Sequence, residues 1–150
     1  MDEIGRSIYG IIATMETIKT KILDGTAEAK KTLDLCAKRV SRIKRATGVT
    51  PCLATVLVGE DPSSVVYVKM KAKRCQAVGM RSLKIEMPAE TTTEQLVAKI
   101  QELSADAGVH GILLQHPVPS HIDERAGFEA IVAAKDVDGE IGRASCRERV

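Results

Sequence analysis

Apolar residues recur at three- and four-residue spacing from Thr26 to Thr47 (Ala29, Leu33, Cys36, Ala37, Val40, Ile43), with Lys and Arg between them. That periodicity predicts an amphipathic helix, which Gly48 ends before Pro51 opens the next segment. Cys52–Val58 is a short unbroken apolar run, the pattern of a strand covered on both faces. A helix over about Ser63–Val78 follows, with Asp61 as its N-cap, Pro62 in its first position and Gly79 closing it. Arg81–Met87 alternates apolar and polar residues and reads as an outer strand. Thr93–Ala105 is helical again, with Glu94 in the first turn where the helix dipole favours an acid. Gly111–Gln115 is a second buried strand, cut off by His116-Pro117-Val118-Pro119 because proline lacks the amide a central strand needs. Glu124–Ala134 predicts a short helix and Asp136–Gly139 a turn. Strands alternating with helices predict an α/β fold: a three-layer open, mostly parallel sheet with helices on both faces.

Composition narrows the functional classes without choosing among them. The 150 residues are 44% apolar and 28% charged, the balance of a soluble globular domain with a real core. The net charge of +2 is spread along the chain, and one Phe, two Tyr and no Trp leave no base-stacking platform. Nucleic acid is therefore not an expected partner. Cys36, Cys52, Cys75 and Cys146 form no C-x-x-C pair, which argues against a zinc site or disulfide framework and fits a reducing cytoplasm. No apolar run reaches the ~18–20 residues of a bilayer span. No metal set and no G-x-G-x-x-G dinucleotide fingerprint is present.

One segment does suggest chemistry. Asp61 and Pro62 start a helix at the carboxyl end of a buried strand, where open α/β sheets bind ligands. Tyr67 and Lys71 lie one turn apart on that helix, so a flat aromatic surface stands beside an amine capable of proton transfer. On its own, such a pair is more often an amphipathic surface pair.

Four segments change that weighting: Ile22-Leu-Asp-Gly25, Val58-Gly-Glu-Asp-Pro-Ser-Ser-Val-Val-Tyr-Val-Lys-Met-Lys71, Gly111-Ile-Leu-Leu-Gln-His-Pro-Val-Pro119 and Lys135-Asp-Val-Asp-Gly139. In order and spacing they resemble the N-terminal catalytic domain of bifunctional methylenetetrahydrofolate dehydrogenase/cyclohydrolases. The resemblance covers about residues 20–139. It implies that Tyr67 stacks on the folate ring system, and that Lys71 is the catalytic lysine assisting proton transfer and activation of water. It further implies that Gln115 hydrogen-bonds and tunes that lysine, that Asp138 anchors the pterin, and that Ser64 supports the lysine or the ligand. The chemistry agrees: an uncharged amide leaves a lysine free to give up its proton, whereas a carboxylate would hold it charged. A carboxylate also suits the N–H edge of a pterin. Each assignment has a plainer rival. Gln115 can cap the strand end, Asp138 can be a turn former as Asp136 is, and His116 can be a variant packing against the Pro-x-Pro turn, with a proton relay as the alternative.

The resemblance implies oxidation of 5,10-methylenetetrahydrofolate with NADP and hydrolysis of 5,10-methenyltetrahydrofolate to 10-formyltetrahydrofolate. It also implies a homodimer, and an NADP site on a following Rossmann-like domain rather than on this chain. Ala133-Ala134 replaces the Pro-Glu often seen before the lysine of the last segment, which loosens the match there. The alternative function is a folate-binding module or inactive fragment without turnover. Three parts are expected: an extension over 1–20 (Met15 is a plausible second start), a folate-binding catalytic domain over 21–139, and a tail over 140–150. That tail reads as the in-frame translation of a sequencing adapter, with a frayed polar end as the plainer reading; either way Cys146 carries no functional argument.

Overall fold

The computed structural model describes residues 24–139, so the expected extension, the tail and Cys146 lie outside the described residues. Helix α1 spans Gly25–Thr47, where the Asp24 side chain accepts from the amides of Thr26 and Ala27 and Gly48 closes the far end at φ 71°. Strand β1 (Cys52–Val58) leads into α2 (Pro62–Ala77), whose N-cap is Asp61 with Pro62 in the first turn. Strand β2 (Arg81–Met87) precedes α3 (Thr93–Ala105), which opens on a reciprocal capping box between Thr92 and Gln95. Strand β3 (Gly111–Leu114), helix α4 (Glu124–Glu129) and a 3-10 turn (Ala133–Lys135) complete the order.

All three described strands are parallel, in the order β2-β1-β3. Alternation along β1 sends Ala54, Val56 and Val58 to one face, where they meet Leu96 and Ile100 of α3 in the main core. Leu83 and Ile85 on β2 and Ile112 and Leu114 on β3 join this face in register. The opposite set, including buried Thr55 and Leu57, lies on the face where α2 packs against β1 and β2. The expected helix-sheet-helix layering is present, and β2 takes the outer position that its alternation predicts.

Two boundaries differ from expectation. The amide of Gln115 still donates to Val56 O at 2.8 Å, but the strand itself stops at Leu114. The predicted helix over 124–134 ends at Glu129. Buried Ile131 turns into the core, and Val132 then adopts extended geometry (φ −67°, ψ 136°) before the 3-10 turn. Tertiary burial overrides the good helix propensity of the Ala-rich stretch.

Helix α4 sits close over β3 because Gly127 has no side chain. A Cβ there would lie 2.9 Å from Leu114 Cδ2 and 3.2 Å from Leu96 Cδ2, both on buried residues. Gly127→Ala is expected to lower unfolding stability by about 1–3 kcal/mol, as overpacked cores do. A urea midpoint at or above wild type would refute this account of the α4 contact.

Candidate functional site

The sheet topology fixes where a site belongs. From β1 the chain moves to β2 on one side, and from β3 it moves away on the other, to a parallel bridge between Ile112 and Asp136. The crevice between the carboxyl ends of β1 and β3 is thus a topological switch point.

Helix α2, capped by Asp61, delivers Lys71 to that crevice. Asp61, at its start, accepts from Ser64 N at 2.8 Å and from Ser63 Oγ. The Ser63 hydroxyl bond and the Ser64 amide hold its carboxyl below the usual carboxylate range. Nearly three turns after Asp61, half-buried Lys71 reaches across the sheet end, and its Nζ donates to Gln115 Oε1 at 3.0 Å. Gln115 is 8% exposed. Its amide is fully directed, because Nε2 donates at 2.7 Å to the His116 carbonyl and leaves Oε1 for the lysine.

The turn carrying Asp138 is built with equal care. The Asp136 carboxylate accepts from the amides of Asp138 and Gly139 at 3.2 and 3.0 Å, and Gly139 takes φ 70°. Lys135 Nζ donates to the carbonyls of Leu103 and Asp106 at the end of α3, at 3.3 and 2.6 Å, which ties the turn to that helix. Lysine is well placed at a helix carboxyl end, where carbonyls lack intrahelical partners.

Lys71, Gln115 and Asp138 share one cleft of about 260 Å³, completed by Leu114, His116, Glu124 and Phe128. Three of the five residues to which the resemblance gives roles therefore converge, with His116 beside them. Tyr67 does not line this cleft: it is 57% exposed, one turn before Lys71 on α2. Ser64 is 1% exposed, with an Oγ that has no hydrogen-bond partner, and it too lies outside the lining.

His116 differs from the expected packing against the Pro-x-Pro turn. Its ring is exposed, and Nδ1 lies 2.8 Å from Glu124 Oε1 on the first turn of α4. Glu124 and Phe128 were not legible as cleft residues. The only hint in the chain was their four-residue spacing on a predicted helix. Among the described residues no cluster of His, Cys, Asp and Glu is arranged to hold a metal, and no helix is long and apolar enough to cross a membrane.

A family model described as the catalytic domain of tetrahydrofolate dehydrogenase/cyclohydrolase matches residues 23–138. The bifunctional protein FolD of Saccharophagus degradans is 63% identical over 118 residues, covering 79% of this chain and 42% of that protein. The FolD of Psychrobacter arcticus is 58% identical over 133 residues, covering 89% of this chain and 45% of its own length. Among solved structures, the bifunctional FolD methylenetetrahydrofolate dehydrogenase/cyclohydrolase of Campylobacter jejuni is similar with TM-score 0.81 at 38% identity, over 84% of this chain and 44% of that one. The dehydrogenase-cyclohydrolase of Trypanosoma brucei, solved with NADP cofactor and inhibitor, is similar with TM-score 0.77 at 32% identity, over 87% and 46%. The chain thus spans less than half the length of these relatives.

Proposed function

The chain belongs to the tetrahydrofolate dehydrogenase/cyclohydrolase family, whose catalytic-domain model it matches over residues 23–138; from that premise we propose that it forms the folate-handling half of a bifunctional enzyme. That enzyme oxidises 5,10-methylenetetrahydrofolate and hydrolyses 5,10-methenyltetrahydrofolate to 10-formyltetrahydrofolate, in one-carbon metabolism. One observation carries the reading. Lys71 and Gln115, 44 positions apart, meet at 3.0 Å at a topological switch point, on a cleft that Asp138 also lines.

In this reading the methenyl bridge is held beside Lys71 Nζ. Water adds to its carbon, one O–H bond breaks, and Lys71 assists the proton's departure. Gln115 orients the amine without adding a charge that would keep it protonated. The Asp138 carboxylate accepts from the pterin N–H edge. Tyr67 is proposed to stack on the ring system from outside the cleft, and Ser64 to support the lysine or the ligand from the same helix.

The residues present do not fit NADP. The loop from β1 to α2 carries Glu60 and Asp61, whose charge opposes a pyrophosphate, and none of the described strands leads into a Gly-rich turn. We therefore place the nucleotide site of the complete enzyme outside these residues. The cytoplasmic location proposed for that enzyme rests on the unpaired spacing of its cysteines, and its homodimeric state on the family resemblance.

The test supplies the full-length gene product with each folate in turn. Hydrolysis of the methenyl compound is expected without any nucleotide, and oxidation of the methylene compound only with one. A cooperatively folded protein that binds folate but turns over neither compound would leave the binding-module reading instead.

A further inference from the structure

The cleft contains one pair of groups to which the reaction as proposed gives no part. His116 Nδ1 and Glu124 Oε1 lie 2.8 Å apart, and both residues line the same 260 Å³ space as Lys71 and Gln115. An ionised carboxylate only accepts, so the bond to Glu124 assigns the proton to Nδ1 and leaves Nε2 as the ring's free acceptor. The His116 side chain is 69% exposed and that of Glu124 34%, so the ring joins the cleft to solvent.

The chemistry has a matching need. Hydrolysis of a methenyl bridge consumes one cation and one water and yields a neutral formamide and one proton. A C–O bond forms as one O–H bond breaks. One C–N bond then breaks as the second water proton moves to the departing ring nitrogen. The first proton must leave the cleft in every turnover, and Lys71 must be free of it before the next. Leu114, Phe128 and Gln115 do not titrate, and Asp138 is committed to the pterin in the reading above. Imidazole is the side chain that ordinarily exchanges protons between pH 5 and 8. The charged groups facing it are Glu124 from α4, Lys71 from α2 and Asp138 from the turn after the 3-10 segment.

We propose that His116, held by Glu124, receives the proton lost by the attacking water and passes it to solvent. This inference rests on the cyclohydrolase reading of the same cleft. It is tested in the full-length protein with His116→Ala and Glu124→Gln, measuring methenyl hydrolysis and methylene oxidation from pH 6 to 8 in a poorly proton-exchanging buffer. His116→Ala is expected to lose about tenfold in hydrolysis, below the ~10²–10⁴-fold typical of a positioned acid–base group, because the exposed ring can be partly replaced by solvent. Added imidazole restores that rate, while methylene oxidation, a hydride transfer that frees no proton from water, falls by less than hydrolysis. Glu124→Gln shows a smaller loss with a shifted pH profile. Wild-type hydrolysis by His116→Ala, or a loss that imidazole leaves unchanged in a variant that still oxidises the methylene compound, overturns the proposal. Absence of hydrolysis in the wild-type protein would instead remove the reading beneath it, and the proposal with it.

Discussion

Lys71→Met in the full-length protein is expected to abolish methenyltetrahydrofolate hydrolysis while folate still binds. Met keeps much of the lysine stem and removes the one amine on the cleft, whose Nζ donates to Gln115 Oε1 at 3.0 Å. A positioned acid–base group contributes about 10²–10⁴-fold, so the residual rate should fall near the solution background. The substitution also strands the Oε1 of Gln115, which is only 8% exposed. An unsatisfied buried acceptor costs about 1–3 kcal/mol, so a modest fall in melting temperature should accompany the loss. That fall must not be mistaken for its cause. Calorimetric titration with a folate separates the two, because a folded variant still binds through Asp138 and the cleft walls. Near-normal turnover would remove Lys71 from the mechanism.

The elements that position Lys71 were legible because their signals are local. Asp61 and Pro62 mark the start of α2, and the six apolar residues of Cys52–Val58, interrupted only by Thr55, mark a strand buried on both faces. Both act within a few residues, where capping and periodicity decide. The end of α4 was not legible, because a buried Ile131 and the docking of Lys135 on α3 depend on partners distant in the chain. The bond between His116 and Glu124 was hidden for a related reason. It closes a loop of eight positions containing two prolines, and no periodic pattern spans such a loop. Tyr67 is the converse case. Helical spacing correctly puts it one turn from Lys71, but spacing alone does not say that Lys71 bends over the sheet end while Tyr67 stays on the outer surface.

The second large effect is expected at a residue with no functional group. A Cβ on Gly111 would lie 2.6 Å from Val137 Cγ1, so the residue beside Asp138 rests directly on the start of β3. Asp136 fixes the same turn through its bridge to Ile112 and its bonds to the amides of Asp138 and Gly139. Gly111→Ala must therefore displace something. Leu53 Cδ1 is a comfortable 3.5 Å away, and Val137 is 52% exposed, so the strain is relieved by pushing the turn outward. Global stability should then change little while Asp138 moves. If Asp138 anchors the pterin as proposed, KM for folate should rise about tenfold to a hundredfold. That corresponds to ~1.4–2.8 kcal/mol of lost pterin anchoring, at 1.4 kcal/mol per tenfold. Val137→Ala removes the clashing methyl, so the double variant should regain most of the lost affinity, a coupling expected of residues in contact. Wild-type KM in Gly111→Ala would show that the turn does not set the pterin site. A raised KM that Val137→Ala fails to correct would place the damage in the strand rather than in the seat of Asp138.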